Sequence, residues 1–233
     1  MNASNEFNKE KLLGKSFVFE ALDSRAREEL AEFSYVKRYD AGQKIFAMGE
    51  PGMSMMAIAE GSVRVSMMTP GDRDITLNDL QAGDVFGEIA MLDGGGRSAN
   101  VDALTNCALV VLERRSFLDV LNRNPALSIR LIELLCQRVR RSDERMIEVA
   151  FMDTQVRLSK LLLRLTTTTP GSNDRPLQKL SQSQSELAGM IGNTRESVNR
   201  CLGKWQKADL IVLRDGWLII KDRERLEALA DEF

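Results

Sequence analysis

Between Gly87 and Ala99 the chain reads Gly-Glu-Ile-Ala-Met-Leu-Asp-Gly-Gly-Gly-Arg-Ser-Ala. A carboxylate, a glycine run, a guanidinium and a hydroxyl thus share one short loop that follows a strand-like segment. Glycines lack Cβ, so their backbone N–H groups approach an anion closely and tolerate the positive φ of an anion nest. Arg97 can fork onto two phosphate oxygens, and Ser98 can donate one further hydrogen bond. Glu88 suits a different partner, because a carboxylate accepts from the hydroxyl of a ribose. Sugar and phosphate recognised side by side point to a nucleotide. The bland alternative is a glycine-rich hairpin with an incidental surface arginine.

A second constellation lies at 183–207. Ser183-Gln184-Ser185-Glu186 has the form of a capping box opening a short helix that carries Leu187, Ala188 and Ile191. Gly192 breaks that helix, Asn193 or Thr194 caps the next, and Glu196 is expected at its N3 position. In the second helix Val198, Cys201, Leu202 and Trp205 fall on one face, and Arg195, Glu196, Asn199 and Arg200 on another. That is a helix-turn-helix whose exposed face suits base edges. Arg195 or Arg200 can fork onto guanine O6 and N7, while Glu196 can accept from cytosine N4, and a good bidentate pair gives roughly 1–3 kcal/mol of discrimination. An exposed face with a Glu196–Arg200 ion pair would give only a few tenths of a kcal/mol.

These residues need elements to position them. Residues 1–15 are polar and read as a loose arm or short helix, and 20–34 follow helical spacing through Leu22, Ala26, Leu30 and Phe33. From about Val36 to Leu112, short apolar runs alternate with turn signals such as Asp40-Ala41-Gly42, Glu50-Pro51-Gly52, Pro70-Gly71-Asp72 and Ala82-Gly83-Asp84. Their spacing, on the order of ten residues, fits a β-sandwich or jelly roll. Asn124-Pro125 opens a long helix to about Phe151. In it Ile132, Leu135, Val139, Ser142, Met146 and Val149 step by three and four, a coiled-coil seam with a polar residue in its middle. Ser142 costs packing there unless its hydroxyl meets a ligand at the interface of two such helices. Thr166–Asp174 reads as a linker or loop. Ile211–Arg214, Asp215-Gly216 and Trp217–Ile220 read as a hairpin with a type I′ turn, a wing to the preceding helices, before a last charged helix.

Composition sets the bounds. The chain has 233 residues, with 43% hydrophobic and 28% charged, as expected of one large or two small globular domains. No apolar run reaches membrane length and no signal-peptide core opens the sequence, so a cytoplasmic protein with no membrane partner is expected. Cys107, Cys136 and Cys201 are scattered, which suggests neither a disulfide framework nor a metal cluster. Histidine is absent. That removes the commonest general base and metal ligand and, with no nucleophile–base pair in view, favours a binding protein over an enzyme. The net charge of −2 conceals a basic stretch from Arg157 to Lys207, so a basic module attached to an acidic one is expected.

The order G-E-I-A…R-S-A at 87–99 resembles the phosphate-binding cassette of cyclic-nucleotide-binding domains. Arg195-Glu196-Ser197-Val198-Asn199-Arg200 is similar to the recognition pattern R-E-x-V-x-R of the cyclic-AMP receptor branch of the CRP–FNR family, and residues 16–225 as a whole resemble that family. The resemblance implies an α+β chain with an N-terminal arm (1–15), a cyclic-nucleotide-binding β jelly roll (16–123), a dimerisation helix (124–152) and a C-terminal winged helix-turn-helix (153–233). It implies an allosteric cyclic nucleotide bound by Gly87, Glu88, Ile89, Ala90, Arg97, Ser98, Arg138, Ser142 and Asp143, with no metal. Ser183, Gln184, Thr194, Arg195, Glu196, Asn199 and Arg200 are the implied contacts to double-stranded DNA, in a palindromic TGTGA-like site read by a homodimer. The loop at 166–174 corresponds to one that touches RNA polymerase in relatives.

Asp143 departs from the uncharged residue usual in the family. As a pure acceptor it welcomes the two donors of guanine better than an unprotonated adenine ring nitrogen, which keeps cGMP open beside cAMP; an exposed position paired with an arginine is the alternative. The oxygen-sensing branch needs an N-terminal cysteine cluster and the haem-based carbon monoxide sensor needs histidine, so neither fits. Two rivals stay in view, a ligand-independent regulator with a vestigial nucleotide site and a nucleotide hydrolase.

Overall fold

A computed structural model describes residues 9–69, 74–167, 178–180, 182–214 and 217–231. The chain divides into two compact units, the first running to Met67 and resuming over Leu77–Val139, the second made of Met68–Thr76 and everything from Arg140. The elements in chain order are α1 (Lys9–Leu13), α2 (Ser24–Glu32), β1 (Ser34–Tyr39), β2 (Lys44–Phe46), β3 (Ser54–Glu60), β4 (Ser62–Met68), β5 (Asp74–Gln81), β6 (Val85–Phe86), α3 (Glu88–Asp93), β7 (Asn100–Ala103), β8 (Cys107–Glu113), α4 (Arg114–Arg123) and α5 (Pro125–Phe151). There follow α6 (Thr154–Thr167), β9 (Gln178–Leu180), α7 (Gln184–Ile191), α8 (Arg195–Lys207), β10 (Ile211–Arg214), β11 (Trp217–Ile220) and α9 (Arg223–Ala230).

The first unit holds two four-stranded sheets, ordered β1-β8-β3-β6 and β2-β7-β4-β5. The jelly-roll expectation rests on alternating inward side chains, and the sheets supply them: Tyr39, Phe46, Phe86, Val101 and Leu109 join one buried cluster. β8 is apolar almost throughout and buried at six of its seven positions, as a strand covered on both faces must be. A second cluster joins Val110 and Leu112 to Leu30 of α2, Phe117 of α4 and Leu127 and Leu131 of α5.

The boundaries differ from the sequence reading in places. α2 starts at Ser24 rather than near residue 20, because the Asp23 carboxylate accepts from Ala26 N at 2.8 Å and caps it. Of the two readings of the N-terminal arm, loose or a short helix, the described part takes the second, with α1 over Lys9–Leu13 and Leu13 fully buried in the core. The stretch after Gly87, read as a loop, contains the six-residue α3. α4 and α6 were not foreseen, and Thr166–Thr167 belong to the last turn of α6 rather than to a linker. Residues 168–174, the Pro70-Gly71-Asp72 turn and the Asp215-Gly216 turn lie outside the described residues. α5 runs from Pro125 to Phe151 without a break and contributes to both units, which part after Val139.

In the second unit Leu158, Leu162, Leu187, Val198, Leu202, Trp205, Ile211, Leu218 and Leu226 form one core. The wing gains a third strand, because β9 pairs with β11 to give the order β10-β11-β9.

Candidate functional site

The loop before α3 is built around positive φ. Gly87 sits at φ 78°, and a Cβ there would lie 2.6 Å from Arg97 Nη1, so both backbone and space require glycine. Gly52, on a neighbouring turn, leaves room for Ala90, whose Cβ would be 2.2 Å from a side chain at 52. Gly87 precedes α3 as its cap residue and, having no side chain, makes no side-chain cap hydrogen bond.

A pocket of about 40 Å³ opens at this turn. Glu88, Ile89 and Ala90 line it from α3 and Gly87 from the residue before it, Arg97 and Ser98 from the following segment, and Arg138 from α5. Phe46, Val65, Phe86 and Val101 make its apolar wall. Seven of the nine residues assigned to the nucleotide thus meet in one place.

Glu88 is fully buried. One carboxylate oxygen, Oε1, accepts from Arg138 Nη1, whose other arm donates to Val85 O at 2.7 Å. Its second oxygen, Oε2, has no hydrogen-bond partner. A buried acceptor left open in this way is costly unless a donor arrives.

Arg97 is also buried and held from several sides. Nη1 donates to Ser54 O at 2.6 Å and Gly87 O at 3.0 Å, Nη2 donates to Ser54 Oγ at 3.1 Å, and the guanidinium lies 4.2 Å from the Phe46 ring centroid. These bonds use three of its five N–H donors. Burial draws its pKa below the usual arginine value, against the opposing charges of Glu50, Glu88 and Glu113. Ser54 and Phe46 were invisible to the sequence reading, since both reach Arg97 from strands distant in sequence.

Ser142 and Asp143 lie one turn beyond Arg138 on α5, at exposed positions that belong to the second unit.

In the second unit the helix-turn-helix is capped at both starts. Ser183 Oγ accepts from Glu186 N at 3.2 Å while Glu186 Oε2 accepts from Ser183 N at 2.8 Å, the reciprocal pair of a capping box. Gly192 closes α7 at φ 64°. Thr194, not Asn193, caps α8, accepting from Ser197 N at 3.2 Å. Glu196 therefore stands at N2 rather than N3. Arg195, Glu196, Asn199 and Arg200 are exposed, while Val198, Cys201, Leu202 and Trp205 turn into the core. Ser183 is exposed, and Gln184 and Thr194 are half-buried. Lys204, which the sequence reading did not assign, borders a polar recess with Arg200, Ser197 and Thr154.

Residues 36–124 match the cyclic nucleotide-binding domain family, and 156–229 match the Crp-like helix-turn-helix domain. A cyclic AMP receptor protein of Thermus thermophilus is 31% identical over 199 residues, covering 84% of this chain and 89% of its own. A CRP-like cAMP-activated global transcriptional regulator of Mycobacterium tuberculosis is 28% identical over 220 residues, covering 93% and 97%. Among solved structures, a CRP/FNR-family transcriptional regulator of Thermus thermophilus is 26% identical with a TM-score of 0.71, covering 85% of this chain and 99% of that one. A cyclic-nucleotide-binding domain followed by this helix-turn-helix defines a class of nucleotide-binding transcription regulators. The chain belongs to the CRP–FNR family of that class. No helix among the described residues is long and apolar enough to cross a membrane.

Proposed function

We propose that the protein is a cytoplasmic, homodimeric regulator that binds a palindromic TGTGA-like DNA site in response to cAMP, with cGMP as the competing effector. The buried, unpartnered Oε2 of Glu88 carries this reading, because it awaits a donor such as a ribose hydroxyl in the pocket that Arg97 and Ser98 also line. In this reading the phosphate meets Arg97, Ser98 and the amides around Gly87–Ala90, as an anion does at a helix start. Arg138 orients Glu88 and faces the nucleotide, and Ser142 and Asp143 supply the base contacts. A guanine base would use Asp143 as acceptor.

Effector binding acts on DNA only through a higher affinity for the DNA-competent state, with coupling typically about 1–3 kcal/mol. In that state the two recognition helices stand about 34 Å apart, one turn of duplex. Arg195 and Arg200 read guanine and Glu196 reads cytosine, while Ser183, Gln184, Thr194 and Asn199 complete the contacts. RNA polymerase is the further partner, through 166–174.

Fluorescence anisotropy with a TGTGA-type duplex at fixed salt, without nucleotide, with cAMP and with cGMP, tests the reading. Specific binding that appears with one nucleotide supports it and names the effector. Arg195→Ala should weaken specific binding by about 1–3 kcal/mol with nucleotide affinity kept. The second reading, a ligand-independent regulator, is favoured by the occupied arms of Arg97 on Ser54 and Gly87. Equal DNA binding under all three conditions would select it.

A further inference from the structure

Within the second unit, the start of β5 is clipped to the first helix of the helix-turn-helix. Arg145 Nη2 donates to Thr76 O at 2.6 Å and to Met190 O at 2.6 Å. Met190 lies in the last turn of α7, where carbonyls have no partner further along the helix and a cation is favoured by the helix dipole. Gly189 marks the same contact: a Cβ there would lie 3.0 Å from Asp74 O and 3.6 Å from Thr76 Oγ1. Its φ is not in the left-handed region, so the requirement for glycine is one of space. Thr76 is buried at this contact. Arg157 Nη1 donates to Ile191 O at 2.8 Å and secures the next carbonyl of the same turn.

We infer that Arg145 is a positioning residue for DNA recognition, holding α7, and through it α8, to the strand that continues from Thr76. It rests on the reading of α8 as the DNA-contacting helix. β5 is one strand that begins in the second unit and continues into the sheet β2-β7-β4-β5 of the first. A change at that strand therefore reaches Thr76 along the chain, and passes from there to the last turn of α7 through the hydrogen bonds of Arg145. The specific chemistry is a guanidinium bridging two main-chain carbonyls, one on β5 and one on α7, against a glycine that permits the approach.

The test is hydrogen–deuterium exchange on the full chain, with DNA affinity measured in parallel. The variants are Arg145→Met, Arg145→Lys and Gly189→Ala. Gly189→Ala favours the helix and so leaves α7 folded, while crowding the contact. Arg145→Met and Gly189→Ala should each speed exchange in both 74–81 and 184–191 by roughly ten- to a hundred-fold, the scale of one or two charge-assisted hydrogen bonds. α2 and α4 should stay as in the wild type. Arg145→Lys, which keeps the charge and can donate to both carbonyls, should restore most of the protection. Specific DNA affinity should fall in the two disruptive variants with nucleotide affinity unchanged. Wild-type exchange in 74–81 in both disruptive variants would overturn the inference, as would unchanged DNA affinity despite faster exchange. A wild-type protein whose DNA binding ignores nucleotide would refute the effector reading alone, and the exchange arm would still decide the clip.

Discussion

At Arg97 one guanidinium serves both the fold and the proposed ligand. Its bonds to Ser54 O and Gly87 O mean that Arg97→Ala removes more than a phosphate partner. Nucleotide binding should be lost, and stability should fall by roughly 1–3 kcal/mol because buried carbonyls lose their donor. Calorimetric titration and urea denaturation read the two effects separately. Thiol chemistry tests the packing of the helix-turn-helix in the same residue-level terms. Burial, with a smaller push from Asp153, raises the Cys201 thiol to about 12, so it is protonated at pH 8 and shielded. Cys107 is buried as well and Cys136 is exposed. A chromogenic disulfide reagent at pH 8 should therefore react fast with Cys136 only, and with all three thiols once the chain is denatured.

Among the elements, the glycine caps allow a clean comparison. At Gly192 a Cβ would meet only Val149 Cγ2, at 3.8 Å, so Gly192→Ala should cost about 1 kcal/mol from backbone conformation alone. At Gly87 the same change adds a collision with Arg97 and should cost more. Denaturant midpoints of the two variants give the order. Where local chemistry sets an element's ends, the sequence was enough: Asn124-Pro125 marks the start of α5, and Ser183 with Glu186 marks α7. α3 escaped because its six residues stand between glycines that read as loop, and β9 because three residues carry no period. The cassette residues were legible as types at a spacing. Their surroundings were not, since Ser54, Phe46 and Val85 reach Arg97 or Arg138 only through the pairing of strands.

For the whole molecule, the telling surface is the open side of α5. Leu127 and Leu131 are buried in the first unit, whereas Ile132, Val139, Met146 and Val149 are 59%, 59%, 66% and 50% exposed. They lie on the seam foreseen from spacing, and such a stripe fits a second copy of the helix. Val139→Glu or Met146→Glu should turn the proposed dimer into a monomer in sedimentation equilibrium and lower specific DNA binding in proportion. With the dimer as the DNA-binding species, the stripe makes the cell's stock of this chain a signal in its own right. While monomers predominate, the amount of paired protein rises with the square of the chain's concentration. A modest change in synthesis or turnover would then move promoter occupancy steeply, even at constant effector level.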